Sequence, residues 1–161
     1  FARVIKQGVP KAGEETDKFS NLELSIVYKT LAGNVIDVAN LEQGTDFLAE
    51  VSIKNPGARG YYRNLALSQI VASGWEIRNH RLDNITYLKG DIPTYEDIRD
   101  DRVYSYFDLG VGQQKTFKIL LNASYNGLFY LPGVSCSAMY DNGISAHVAG
   151  KWVTIKKVDN I

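Results

Sequence analysis

The sequence predicts an all-β protein, an antiparallel β-sandwich, on three observations. Apolar and polar residues alternate with a period of two in Phe47–Lys54 and Lys115–Tyr125. Turn-forming residues separate such segments at roughly 8–12-residue spacing, as in β-sandwiches. No long segment shows the 3.6-residue period of an amphipathic helix. Period two with one polar face is typical of a half-exposed antiparallel sheet.

Strand candidates follow one another along most of the chain, and we expect about eight strands. The turn signals between them include Asn55-Pro56-Gly57, Gly110-Val111-Gly112 and Asn126-Gly127, and the last of these suits a tight hairpin. The candidates in order are Leu22–Tyr28, Val35–Val38 (the weakest), Phe47–Lys54, Leu65–Val71, Val103–Leu109, Lys115–Tyr125, Val134–Met139 and Lys151–Lys157.

The segment Asn79–Arg102 interrupts this pattern. It lacks alternation and contains Gly90 and Pro93. A connection of roughly two dozen residues exceeds the usual length, which indicates a functional or docked loop. We therefore predict a long loop packed against the sandwich.

A charged cluster occupies the end of this predicted loop. Calcium is one interpretation, because carboxylate oxygens are its preferred ligands, but the spacing does not match the twelve-residue calcium loop. Interleaved arginines favour ion pairs that anchor the loop to the sandwich. The acids considered for calcium are Asp91, Glu96, Asp97, Asp100 and Asp101. The predicted loop-anchoring ion pairs join Arg99 and Arg102 to Asp97, Asp100 and Asp101.

Length and charge limit the classes of function. We expect the 161 residues to form one domain, residues 1–161, cut from a longer chain. Eighteen basic and eighteen acidic residues give a formal net charge of zero, so nothing favours binding to nucleic acid. No apolar run approaches the ~20 residues that a membrane span needs, and we expect no membrane insertion.

The sequence carries no recognisable catalytic, cofactor or metal site. Cys136 lies on the apolar face of its strand candidate and is interpreted as a buried hydrophobe. His80 and His147 are far apart, whereas a zinc site needs three or four convergent ligands. Nucleophile-elbow, phosphate-loop and dinucleotide-binding motifs are absent from the sequence. We therefore predict a protein that is not an enzyme.

The order and spacing of several short motifs resemble the C-terminal, macroglobulin-like domain of bacterial alpha-2-macroglobulins. The most specific motif is Asp97-Ile98-Arg99-Asp100-Asp101-Arg102. The others are Gln7-Gly8-Val9-Pro10, Gly33-Asn34, Gln43-Gly44 before Phe47–Asn55, Ser73-Gly74-Trp75-Glu76-Ile77, and Gly127–Pro132 before Ala138-Met139-Tyr140.

This resemblance implies an Ig-like, macroglobulin-like sandwich without catalysis of its own, in a protease-trapping protein. It implies that Met139 and Tyr140 shield a thioester held by another domain. The third residue after Cys136 is Met139 rather than glutamine, so this chain does not itself hold the thioester. The implied partners are the thioester domain and other macroglobulin domains of the same chain, and target proteases through the intact protein. The implied localisation is the periplasm or cell envelope, with a lipid anchor in the missing N-terminal region as one option.

Two alternatives stay open at this stage. Met139 at a strand edge is also compatible with ordinary gap-filling in the core. The whole chain is also compatible with an Ig-like adhesive or carbohydrate-binding module of a bacterial surface protein, because Ala49–Pro56 followed by Leu65–Trp75 resembles the repeats of surface stalks.

Overall fold

The computed structural model describes residues 8–78 and 90–158. These residues form thirteen strands, and no helix occurs among them. The strands are β1 (Lys18–Ser20), β2 (Glu23–Thr30), β3 (Asn40–Glu42), β4 (Asp46–Lys54), β5 (Tyr62–Ile70), β6 (Trp75–Arg78), β7 (Tyr95–Ile98), β8 (Arg102–Leu109), β9 (Gln114–Ala123), β10 (Gly127–Leu131), β11 (Val134–Ala138), β12 (Asp141–Val148) and β13 (Lys151–Lys156). In this part of the chain, nothing helical is long and apolar enough to cross a bilayer.

Three sheets make up the fold. The largest has the order β1-β12-β11-β5-β8-β7, the second β2-β4-β9-β6, and the smallest β10-β13-β3. Neighbouring strands are antiparallel except for β13 and β3, which run parallel. The all-β, antiparallel prediction is therefore confirmed, with this single parallel pair as a local departure among the described strands.

The four-stranded sheet contributes to two adjoining cores. Val51, Ile53 and Phe117 pack with buried residues of the six-stranded sheet, such as Leu67 and Phe107. The other half of the same sheet packs with the three-stranded sheet through a cluster of aromatic rings and aliphatic side chains. In this second cluster the Phe47 and Trp75 rings meet edge to face, with centroids 4.9 Å apart.

The seven stronger strand candidates all coincide with observed strands. Their observed ends lie within three residues of the predicted ones. The weak candidate Val35–Val38 is wrong, because only an isolated bridge joins Lys29 and Val35 and the next strand begins at Asn40. The expected count of about eight is also too low, because short or polar strands such as β7 and β12 carry little alternation.

The predicted tight hairpin at Asn126-Gly127 is also wrong. The strands on either side lie in different sheets, since β9 pairs with β4 and β6 whereas β10 pairs with β13. The N–H groups of Ser124 and Tyr125 both donate to the carbonyl of Gly74 instead of closing a hairpin. This turn therefore carries the chain from one sheet to the next.

The loop predicted over Asn79–Arg102 needs a correction at its C-terminal end. Tyr95–Ile98 is strand β7, which pairs with β8 and forms a hairpin whose turn is residues 99–101. Mixed charges concealed this strand, because edge strands are often charged and show no apolar alternation. The residues 79–89 lie outside the described part of the chain.

Candidate functional site

Met139 and Tyr140 form the two-residue turn between β11 and β12. Ala138, the last residue of β11, pairs with Asp141, the first residue of β12. The side chains of Met139 and Tyr140 are 53% and 83% exposed, whereas Ala138 is buried. The expectation that at least one of the pair would be exposed at a strand end is confirmed.

The predicted turn at Asp141-Asn142-Gly143 is displaced. These residues begin β12, and the pairing register shifts there, from Ser137 opposite Ser145 to Ala138 opposite Asp141. The Asp141 Oδ1 atom accepts a hydrogen bond from the Gly143 N–H, at 2.9 Å. Asp141 and Gly143 therefore stabilise a bulge beside the turn and not the turn itself.

A second bulge, in β5, supports the turn from the neighbouring strand. The Met139 N–H donates to the Asn64 carbonyl oxygen at 3.0 Å. Asn64 has a φ of 54° and lies where the β5 register shifts between Tyr62 and Leu65. Asparagine tolerates this left-handed conformation better than most residues. The Asn64 N–H in turn donates to Asp108 Oδ1 at 2.8 Å, so the backbone under Met139 is fixed from two strands.

An arginine holds the other side of the turn. The Arg59 Nη1 atom donates to both carboxylate oxygens of Asp141, at 3.2 and 3.3 Å. The same guanidinium packs over Gly143, where a Cβ would lie 2.3 Å from Nη1. The Gly143 carbonyl accepts from Ser20 Oγ and Asn21 Nδ2, which ties the bulge to the last residue of β1 and the residue that follows it. A small, ordered turn therefore carries two large exposed side chains.

The Met139–Tyr140 turn is suited to contact with another protein surface and not to catalysis. A thioether and a phenol supply apolar area and one hydroxyl, and such side chains are enriched where proteins contact one another. Neighbouring residues already fix the backbone of the turn on both sides. Contact between Met139 or Tyr140 and another protein surface would therefore cost little conformational entropy.

The acid–arginine cluster lies at the opposite end of the six-stranded sheet. Arg102 pairs with Ile70 in the strand register, whereas Ala138 pairs with Leu65 at the other end of β5. The β7–β8 hairpin turn and the Met139–Tyr140 turn therefore point away from each other. The residues predicted to form two sites do not converge on one.

Within this hairpin the ion pairs are local. Arg99 pairs with Asp97 at 3.0 Å. Arg102 makes two hydrogen bonds to Asp101, at 2.9 and 2.7 Å, and these lower the pKa of the Asp101 carboxyl. Among the described residues, Asp100 has no ion-pair partner. Because each partner is one or two residues away, these pairs fix the shape of the hairpin turn, and their anchoring of the longer loop stays a prediction.

A different contact attaches the chain to the sandwich before β7. The Asp91 N–H donates to the Thr116 carbonyl, and the Thr116 N–H donates to Asp91 Oδ2 at 2.7 Å. Gly90 lies directly against the same strand, where a Cβ would be 2.5 Å from the Thr116 carbonyl oxygen. Nothing in the sequence predicts this contact, because a single Asp gives no signal of pairing with a backbone 25 residues away.

Cys136 and His147 do not form a nucleophilic pair. Cys136 is buried in the core, and burial raises the pKa of its thiol to about 12. The adjacent strand places Ala146 opposite Cys136, so His147 lies on the outer face. There the His147 Nε2 atom is 3.6 Å from Glu15 Oε2. His80 lies outside the described residues.

No metal centre is apparent in the described part of the chain. Nowhere in residues 8–78 and 90–158 do three His, Cys, Asp or Glu side chains converge as metal ligands. The calcium interpretation of the acid cluster therefore has no geometric support there.

Comparison with known proteins gives the family. The model of the bacterial alpha-2-macroglobulin MG10 domain matches residues 12–142, which is most of the chain. The chain belongs to this family.

Relatives place the domain in much longer proteins. The chain is 26% identical over 149 residues to the alpha-2-macroglobulin of Rickettsia conorii, covering 88% of this chain and 8% of that protein. The structure of Salmonella alpha-2-macroglobulin reacted with methylamine matches with a TM-score of 0.79 at 20% identity, over 92% of this chain and 10% of that one. Native Escherichia coli alpha-2-macroglobulin, from domain MG7 to the C-terminus, matches with a TM-score of 0.79 at 17% identity, over 92% of this chain and 25% of that one. These two structures are similar in fold, and the chain spans about a tenth of the full-length relatives.

Proposed function

We propose that residues 1–161 form a non-catalytic domain of a bacterial, protease-trapping alpha-2-macroglobulin. In this proposal the domain docks on the thioester domain of the same chain, and Met139 and Tyr140 shield the thioester until a protease triggers the trap. The observation that carries the proposal is the turn itself. Two large side chains stand exposed on a backbone held in place by contacts that involve Asn64, Asp108 and Arg59, and neither packs in the domain's own core.

The chemistry of a thioester explains why a shield is needed. A thioester reacts with water and amines, so it persists only in a site from which they are excluded. Two bulky side chains on a rigid turn exclude them with little loss of conformational entropy on docking. The alternative of gap-filling by Met139 is not compatible with its exposure in this domain.

Partners and location follow from the same proposal. The immediate partners are other domains of the same chain, and proteases are met through the intact protein. We propose a periplasmic or cell-envelope location for that protein. The family match does not favour the alternative of an adhesive or carbohydrate-binding module.

The test uses the complete protein. Its thioester domain must contain a Cys-x-x-Gln motif, because the test measures loss of the thioester. The double variant Met139→Ala/Tyr140→Ala should release free thiol in methylamine on the order of tenfold faster than wild type, which corresponds to about 1.4 kcal/mol of lost protection. Thiol titration without added protease measures this rate.

A matched control variant also removes two large exposed side chains, but at positions far from the Met139–Tyr140 turn. Tyr125 and Leu128 are both exposed and follow the C-terminal end of β9, Tyr125 in the connection to β10 and Leu128 in β10. The variant Tyr125→Ala/Leu128→Ala should release thiol at the wild-type rate. Equal rates in all three proteins would remove the shielding role from Met139 and Tyr140.

A further inference from the structure

Three buried polar side-chain atoms of the described residues have no hydrogen-bond partner in the protein. They are Gln69 Nε2, Trp75 Nε1 and Ser105 Oγ. Buried polar groups are nearly always hydrogen-bonded, so each exception needs a physical explanation, such as an ordered water molecule or an ion. Gln69 and Trp75 line the same internal cavity. We call it the Gln69–Trp75 cavity.

The Gln69–Trp75 cavity lies where the two cores adjoin. In its wall, Val134 belongs to the first core, Leu131 belongs to the second, and Ile26 packs against both. Gln69 is in β5 of the six-stranded sheet, and Trp75 begins β6 of the four-stranded sheet. A molecule bound by both side chains would therefore join the two sheets inside the protein.

Gln69 is a polar residue in a core-facing row of β5. Leu65 and Leu67 precede it at alternate positions of the strand and are fully buried, and Gln69 itself is only 4% exposed. Removing an amide group from water is unfavourable unless a hydrogen bond replaces the lost hydration. Glutamine in this row is therefore best explained by an acceptor inside the cavity.

The Trp75 ring is held in the core by two aromatic contacts. Its centroid is 4.9 Å from that of Phe47 and 5.8 Å from that of Tyr28, and both pairs are close to perpendicular. Trp75 is 3% exposed, so the surrounding solvent does not hydrate its indole N–H. The indole nitrogen can only donate a hydrogen bond. Its missing partner must therefore be an acceptor.

Size and charge together select the ligand. The cavity has a volume of about 10 Å³, which is room for one water molecule and for nothing larger. Gln69 Nε2 and Trp75 Nε1 are both donors, so a cation does not suit them as a shared partner. None of the described residues in the wall is basic, and an anion buried without a cation is costly. A water oxygen is neutral and accepts two hydrogen bonds.

A groove on the surface adjoins the cavity. The groove has a volume of about 360 Å³ and shares four wall residues with the cavity: Ile26, Tyr28, Leu131 and Val134. Rotation of these shared side chains would open a path between the two spaces. Water from the surface therefore has a short route to Gln69 and Trp75.

We propose that the Gln69–Trp75 cavity binds one ordered water molecule, which accepts hydrogen bonds from Gln69 Nε2 and Trp75 Nε1 and so links the six-stranded sheet to the four-stranded sheet. Buried water molecules make about three hydrogen bonds. Tyr28 is also in the wall, and its hydroxyl oxygen is an acceptor for one of the water's own hydrogens. This proposal does not depend on the shielding role of Met139 and Tyr140.

Electron density in crystals of the complete protein tests the site directly, at a resolution that shows ordered water. A water peak should lie about 2.7–3.2 Å from both Gln69 Nε2 and Trp75 Nε1. The peak should weaken in Gln69→Met and in Trp75→Phe, because each variant removes one donor while keeping a side chain of similar shape. A peak bonded to only one of the two nitrogens, or a Trp75 N–H that lies against an aromatic ring with no water peak, would overturn the proposal.

Hydrogen exchange of the complete protein in solution tests the link between the sheets. Gln69→Met and Trp75→Phe should each speed exchange of the backbone amides in β5 and β6 several-fold. The double variant should exchange no faster than the faster single variant, because either change already breaks the shared bridge. Trp152→Phe is the matched control, since it makes the same change at a half-exposed indole in β13, and it should leave these rates unchanged. Single variants that match Trp152→Phe, or effects that multiply in the double variant, would show that no shared water joins the sheets.

Discussion

Cys136 shows how burial at a single residue decides between reactivity and packing. Its thiol lies in the core shared by the six-stranded and four-stranded sheets, and burial raises the thiol pKa to about 12. The thiolate is the reactive form, and so high a pKa leaves very little of it at pH 8.

We therefore predict that folded protein at pH 8 is not alkylated by iodoacetamide at Cys136 over an hour, whereas protein in denaturant is alkylated stoichiometrically. Intact-mass spectrometry measures the fraction modified. Full modification of the folded protein would contradict the burial of this side chain.

Glu15 illustrates a carboxylate whose titration is set by its neighbours. The Tyr130 hydroxyl donates a hydrogen bond to Glu15 Oε1, the Gly150 N–H donates to Oε2 at 3.1 Å, and together they lower the Glu15 pKa. A lowered folded-state pKa means that this stabilisation is present at neutral pH. It is lost as the pH falls through the folded-state pKa.

The variant Tyr130→Phe should move the Glu15 pKa upward, towards its ordinary value, while keeping the ring contact with Trp152. Carboxyl-carbon NMR titration of both proteins measures the shift. An unchanged Glu15 pKa in Tyr130→Phe would show that the hydroxyl is not the dominant cause.

Among the elements, strands with one buried face were predictable and edge strands were not. In β4 the buried Ala49, Val51 and Ile53 alternate with Glu50, Ser52 and Lys54, and this periodicity is visible in the sequence. In β7 the sequence Tyr-Glu-Asp-Ile pairs on one side only and has no apolar face. Its strand character comes from backbone pairing with β8, which composition does not reveal.

The attachment of residues 90 and 91 to β9 gives a prediction for this element. Gly90→Ala would place a Cβ 2.5 Å from the Thr116 carbonyl oxygen and 3.0 Å from the Lys118 nitrogen, both backbone atoms that cannot move aside cheaply. We expect a loss of about 1–3 kcal/mol in the free energy of unfolding, as for other overpacked sites.

Urea unfolding of Gly90→Ala and of Gly8→Ala makes the comparison. A Cβ on Gly8 meets nothing within 4 Å, so Gly8→Ala should change stability by no more than a few tenths of a kcal/mol. Equal midpoints for the two variants would contradict the tight approach of Gly90 to β9.

At the scale of the whole molecule, the sequence indicated Met139 and Tyr140 but not the residues that hold their turn in place. Met139 and Tyr140 were identified through a family resemblance, and a neighbouring turn signal indicated their exposure. Arg59 is 82 residues from Asp141, and Asn64 and Asp108 come from two other strands. Nothing local in the sequence marks these groups as neighbours, because the antiparallel registers of β5, β8, β11 and β12 bring them together.

The central claim is that this turn contacts the thioester domain in the intact protein. A photoreactive benzoylphenylalanine in place of Tyr140 tests it directly in the complete chain, with the same probe in place of Tyr125 as control. We expect the probe at 140 to crosslink to peptides around the Cys-x-x-Gln motif in the native protein, and we expect protease treatment to abolish this product. Crosslinking from 140 to that region no greater than from 125 would contradict the account.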